Sequence, residues 1–85
     1  MSMVQQMISA IVNAQRQIDD QIMKLRSYLS EIEKTSARVH NALEGSTLDY
    51  ESRMQAQLAR TRQQVEESIG RLQDAKEKLQ RVRMI

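Results

Sequence analysis

Apolar residues recur every seven positions through the first half of this chain, and this spacing limits most strictly what it can fold into. One row consists of Val4, Ile11, Ile18, Leu25, Ile32 and Val39. A second row, offset by three or four residues, consists of Ile8, Ile22, Leu29 and Leu43. Two such rows lie side by side on one face of an α-helix, and they predict a coiled-coil seam about five heptads long.

The second half of the chain repeats this pattern with smaller side chains. Its main row is Leu58, Val65, Leu72 and Leu79, and the neighbouring row is Met54, Thr61, Ser68, Ala75 and Val82. The chain has no proline, two glycines and two aromatic residues among its 85 residues, which is a composition typical of long helices. We therefore expect an all-α fold, a single antiparallel two-helix hairpin over residues 1–85.

Glycine and short polar residues predict where the two helices end and begin. Gly45 is the expected stop of the first helix, because a left-handed residue just past a helix end is accessible to glycine. Ser46 fits the N-cap of the second helix, with Asp49 in a capping-box position three residues later. A second glycine, Gly70, is expected to be tolerated on the outer side of the second helix. The predicted segments are helix 1 at about 3–43, a turn at about 44–46 and helix 2 at about 47–82.

The apolar stripe of the first helix is wider than one neighbour requires, since a further row carries Met7, Ala14, Tyr28 and Ala42. A dimer forming a four-helix bundle would cover this stripe. Two polar residues, Gln15 and Ser36, interrupt the seam, where a buried polar side chain can fix the register of paired helices; exposure of Ser36 is the alternative. The predicted core and partner seam comprises Ile8, Ile11, Ile18, Ile22, Leu25, Leu29, Ile32, Val39, Leu58, Val65, Leu72 and Leu79.

Composition argues against several classes of function. A single histidine and no cysteine leave no histidine or thiolate set for a metal, and His40 is expected to be exposed near a helix end. The net charge of +2, without interleaved aromatic residues, does not favour nucleic acid. We therefore expect a non-enzymatic protein without a cofactor, which binds another protein.

No stretch of the sequence resembles a signal peptide or a membrane span. The apolar residues near the N-terminus are interrupted by glutamines, and they lack a basic leader. The expected location is the cytoplasm, and the alternative is secretion by a route that needs no cleaved signal peptide.

The hinge sequence Leu43-Glu44-Gly45, followed by Ser46-Thr47-Leu48-Asp49-Tyr50, resembles that of a known family. The Trp-Xaa-Gly, or early-secreted-antigen-like, proteins of type VII secretion are small helical hairpins with a tripeptide ending in glycine at the turn. Their next segment is commonly small and polar, with an aromatic residue that Tyr50 could match. The resemblance covers the whole chain in architecture and about eight residues in motif.

The chain departs from this family at two points. Leu43 stands where the family has tryptophan, and the export signal of a tyrosine followed four residues later by an acidic residue is missing. Four residues after Tyr28 comes Ile32, and four after Tyr50 comes Met54. The resemblance therefore implies an accessory protein that pairs with the N-terminal helical domain of a larger type VII substrate, such as an LXG toxin.

Two other classes of function fit the same pattern. A chaperone of another secretion system, similar to type III needle-subunit chaperones, would also be a short helical hairpin in the cytoplasm. A structural coiled-coil adaptor of a larger complex would have no link to secretion. The expected partner is in each case a protein, either a second copy of this chain or a related helical protein.

Overall fold

A computed structural model describes residues 2–45 and 49–84 of the protein. Two α-helices, α1 at Met3–Leu43 and α2 at Tyr50–Met84, pack along each other in a hairpin whose Cα atoms extend over 68 × 15 × 12 Å. The predicted all-α helical hairpin is confirmed. The residues between the described ranges include Ser46, the predicted N-cap, so that prediction lies outside the described residues.

The ends of α1 follow from the residues next to them. At the start, the Ser2 hydroxyl oxygen accepts a hydrogen bond from the Gln5 amide at 3.1 Å, which satisfies one of the free donors of the first turn. At the other end, Gly45 has a φ of +81°, in the left-handed region that favours glycine. The chain therefore leaves α1 where the sequence pattern places a glycine.

The second helix begins at Tyr50, three residues later than the predicted start. The Asp49 carbonyl oxygen accepts the first helical hydrogen bond, from the Arg53 amide at 3.0 Å. The Asp49 carboxylate also accepts from the Arg53 guanidinium at 3.1 Å. Asp49 therefore lies at the helix start itself, where its charge complements the positive end of the helix dipole, and not one turn inside the helix.

The core is a single thin layer between the helices. Its buried apolar side chains are between 6% and 9% exposed, and they are Ile11, Ile22, Ile32, Val39, Val65 and Ile69. Half-buried apolar residues pack around the central part of this layer: Ile18, Leu25, Leu29, Leu58 and Leu72. No described side chain is less than 2% exposed, because each helix has only one neighbour to exclude water.

The stripe that α2 buries includes a residue outside the two predicted rows. Val65 is buried as expected, but its buried companion is Ile69 and not a residue of the predicted neighbouring row. In that row, Met54 and Val82 are 47% and 48% exposed. The sequence analysis missed Ile69 because the residues seven positions before and after it are Arg62 and Lys76, which hide its helical period.

The two glycines allow a matched test of the turn. Adding a methyl group at Gly45 forces an L-residue into a left-handed conformation, so Gly45→Ala should destabilise the hairpin by about 1 kcal/mol. Gly70 lies inside α2 with open space where a Cβ would point, so Gly70→Ala should stabilise it by about the same amount. Urea unfolding followed by circular dichroism measures both. Equal effects of the two substitutions would contradict the assigned turn.

A second comparison tests the thin core. Ile32 is 6% exposed and belongs to the central cluster, so Ile32→Ala should lower the free energy of unfolding by about 2 to 5 kcal/mol. Met23 lies on the same helix but is 66% exposed, so Met23→Ala should change it by less than about 0.5 kcal/mol. Thermal melts of the two variants give the difference. If Met23→Ala lowered the free energy of unfolding as much as Ile32→Ala, the buried stripe would be wrongly assigned.

Candidate interaction surfaces

Both polar interruptions of the α1 stripe are paired across the helix interface. Gln15 is buried, and its amide donates to the Gln80 side-chain oxygen at 3.0 Å. The Ser36 hydroxyl donates to the Gln55 side-chain oxygen, while the Gln55 amide donates to the Ser36 carbonyl oxygen at 2.9 Å. A buried polar group without a partner would destabilise the fold by about 1 to 3 kcal/mol, so these pairs favour one alignment of the helices over its neighbours.

Two charged contacts lie next to the amide pairs. The Lys76 ammonium is 2.7 Å from the Asp19 carboxylate, and the His40 imidazole is 2.6 Å from the Glu51 carboxylate. The Asp19–Lys76 pair is about half exposed, so it contributes at most about 1 kcal/mol. Its main consequence is geometric, because together with the amide pairs it fixes which residues of the two helices lie at the same height.

His40 is exposed, as expected, but it is not isolated. Its side chain is 58% exposed, and its Nδ1 atom faces Glu51 across the hinge end of the hairpin. The hydrogen bond to Glu51 and the charge of Glu51, with a smaller contribution from Glu44, raise the pKa of His40 above its ordinary value of 6.5; slight burial opposes this. Glu51 is eleven residues away in the chain, so only the turn between the helices brings the two together.

This contact predicts a pH dependence of stability. Because the pKa of His40 is raised in the folded hairpin, its stabilising effect is fully present below pH 6.5 and is lost as the pH rises through the raised pKa. The hairpin should therefore melt at a higher temperature at about pH 6 than at about pH 8. His40 is the only histidine, so Glu51→Gln should remove most of the difference. An equal difference in that variant would rule out this contact as its cause.

The N-terminal end of α1 extends past Met84, the last residue of α2 that the structure describes. Counting from the Gln15–Gln80 contact, α1 continues for twelve residues to Met3, whereas α2 continues for four to Met84. The difference of about eight residues corresponds to about 12 Å of helix. We call residues 3–10 the tip. The tip carries four apolar side chains, which are 84%, 60%, 54% and 37% exposed: Met3, Val4, Met7 and Ile8.

On one side of the helix seam, the hairpin has an open groove. Charged residues from both helices line it, and the Asp19–Lys76 ion pair lies within it. Its lining residues are Gln15, Asp19, Ile22, Met23, Arg26, Gln73, Lys76, Glu77 and Gln80. A second, smaller depression on this side includes Glu33 and Arg62. We call this side the charged face.

The opposite side of the seam has no charged residue in the two rows that border the core. We call these rows the uncharged face. From α1 they comprise Met7, Ala14, Gln21, Tyr28, Thr35 and Ala42, and from α2 they comprise Met54, Thr61, Ser68, Ala75 and Val82. Tyr28 is 50% exposed, whereas the small residues of α2 in the middle of the face are half-buried. The face therefore combines small, half-buried side chains with larger, exposed ones.

The structure places the predicted seam residues at three levels of burial. Buried are Ile11, Ile22, Ile32, Val39 and Val65. Half-buried are Ile18, Leu25, Leu29, Leu58, Leu72 and Leu79. Ile8 is exposed and lies in the tip, beyond the described part of α2. In the hinge motif Leu43 is half-buried, and Glu44 and Gly45 are exposed.

Two features that a metal site or a membrane-spanning helix would require are absent from the described residues. Over residues 2–45 and 49–84, no three histidine, cysteine, aspartate or glutamate side chains come together in a way that could hold a metal ion. Neither described helix contains a stretch long and apolar enough to cross a membrane.

No relative of this chain was found among known proteins. The chain matches no protein-family model, no curated protein and no solved structure. The geometry of the exposed surfaces is therefore the basis on which a function is proposed.

Proposed function

We propose that this protein is a non-enzymatic helical interaction protein that binds a helix of another protein chain. The observation that carries this proposal is the exposed apolar tip of α1. Val4 continues the row of the buried residues Ile11 and Ile32, and Ile8 continues the row of Ile22. The stripe that binds α2 thus runs on for about two turns beyond the part of α2 that the structure describes.

A helix is the partner best suited to this surface. Apolar side chains at helical spacing accept the matching stripe of a second helix, as in coiled coils and in helix-in-groove recognition. Complete burial of Val4 or Ile8 would contribute about 1.5 to 3 kcal/mol each before the costs of association. An amphipathic helix that enters beside the tip would also continue the line of α2, so the contact geometry of the hairpin would be repeated.

The partner chain that we propose is a related helical protein, in a complex of the four-helix-bundle type. The hinge motif Leu43-Glu44-Gly45 supports a role in type VII secretion, with the N-terminal helical domain of a secreted toxin as the partner. The left-handed conformation of Gly45 is compatible with the role of the glycine in that motif. In this proposal the hairpin is an accessory or chaperone of the toxin, and any export would depend on the partner.

A charge at the tip tests this function. Ile8→Asp places a carboxylate in the exposed stripe, so it should weaken binding to a helical toxin domain at least tenfold while the hairpin stays folded. Gln6→Asp is the matched control, because it adds the same charge near the same helix end but outside the stripe. Co-expression with candidate domains, followed by calorimetric titration of wild type and both variants, gives the affinities.

The same titration separates the alternatives. Binding to type III needle subunits in place of toxin domains would indicate a chaperone of another secretion system. A tight complex with a cytoskeletal or other non-secreted protein would indicate a structural adaptor. Equal affinities of the Ile8→Asp and Gln6→Asp variants for any helical partner would contradict the tip as the binding surface.

A further inference from the structure

We propose that a second copy of this chain covers the uncharged face, with the hinge ends of the two copies together and α1 of each copy against α2 of the other. The inference extends the proposed function. In the proposed four-helix bundle, one partner is a second copy of this chain, and it binds the uncharged face. The inference rests on the side of the hairpin and not on the tip, so the two surfaces are tested separately.

The first argument is the distribution of charge. All eleven positions of the uncharged face are apolar, small or neutral polar residues, whereas the charged face contains Asp19, Arg26 and Glu33 from α1 alone. Covering a side chain with another protein removes water from it, and this costs far more for a charge than for a methyl or hydroxyl group. Of the two faces, the uncharged one can therefore be covered at the lower cost.

The second argument is the fit of large residues over small ones. The contacts Asp19–Lys76 and Ser36–Gln55 fix which residues of the two helices lie at the same level along the hairpin. Tyr28 lies midway between these two contacts. At this height α2 has Val65 in the core and Thr61 and Ser68 on the uncharged face. In a two-fold dimer whose axis runs parallel to the hairpin, Tyr28 of each copy lies over the gap between Thr61 and Ser68 of the other.

The same arrangement accommodates the other large residues of the face. By the Gln15–Gln80 contact, Val82 lies at the height of Ala14, so it packs over Ala14 of the second copy. Met54 lies next to Gln55, which contacts Ser36. Along the hairpin axis, Met54 is therefore level with the gap between Thr35 and Ala42. Tyr28, Val82 and Met54 thus each meet small residues of the second copy, which allows the helices to approach closely and fill the space between them.

The dimensions of the face suit a stable dimer. It runs from Met7 to Ala42, about 50 Å of helix, and the hairpin is 12 to 15 Å across, so the face presents on the order of 600 to 800 Å². Stable protein interfaces bury about 800 Å² on each partner. With the hinge ends together, the two tips also lie at one end of the dimer, where both remain open to a further helix.

The first test compares two charges on opposite faces. Tyr28→Glu places a charge in the proposed interface, so it should raise the dimer dissociation constant at least tenfold with the helix content unchanged. Met23→Glu is the matched control, because Met23 is an exposed apolar residue of α1 that lines the charged face. Sedimentation equilibrium and circular dichroism of the full chain give both quantities. A wild-type chain that is monomeric at about 100 μM, or equal effects of the two substitutions, would overturn the inference.

The second test determines the orientation of the copies. The chain has no cysteine, so single cysteines report contacts between copies without interference. By the Asp19–Lys76 contact, Gln21 and Ala75 lie at nearly the same height. Mixing Gln21→Cys chains with Ala75→Cys chains under mild oxidation should therefore give a mixed disulfide dimer.

The outcomes of this second test are distinct. A mixed product that forms at least tenfold faster than a mixture of Arg26→Cys and Gln73→Cys chains, which carry cysteines on the charged face, supports the inference. Cross-linking of Gln21→Cys chains only to themselves would place α1 against α1 and overturn the arrangement. A monomeric chain that still binds a helix through Ile8 would overturn the dimer and leave the proposed function intact.

Discussion

The contact between α1 and α2 can bury only one stripe on each helix, because neither helix has a second neighbour in the hairpin. This limit explains why even the best-shielded side chains keep several per cent of their surface exposed. It also explains why apolar residues outside the stripe stay in water, among them Tyr28 and Met54. Exposed apolar rows on a small helical protein are the usual sign of an interface with another chain.

Polar contacts near the ends of the hairpin decide how the two stripes are aligned. An apolar stripe with a seven-residue repeat can slide by one heptad and still bury similar side chains. The pairs Gln15–Gln80 and Ser36–Gln55 limit this freedom, because sliding would leave the buried Gln15 amide and the half-buried Gln55 amide without these partners. The resulting alignment leaves the tip of α1 beyond α2 and sets Tyr28 at the height of the small residues of α2. The interaction surfaces are thus a consequence of register.

The hairpin itself could be predicted from the sequence. The seven-residue spacing of Ile11, Ile18 and Leu25, the lack of proline and the glycine at position 45 all indicate two long helices with one turn. Burial along the α1 stripe follows from the same spacing, since a helix buries the face on which its large aliphatic residues lie. These features depend on residues within a few turns of one another, so the chain determines them locally.

Other features were decided only when the helices came together. Ile69 is buried although Arg62 and Lys76 share its row, because α1 lies against that side of α2. His40 meets Glu51, and Gln15 meets Gln80, through contacts between residues far apart in the chain. The exposed tip likewise depends on where α2 ends relative to α1. The sequence by itself determined two amphipathic helices and their turn, whereas the tertiary structure decided their rotation and alignment, because these depend on the pairing of side chains between the helices.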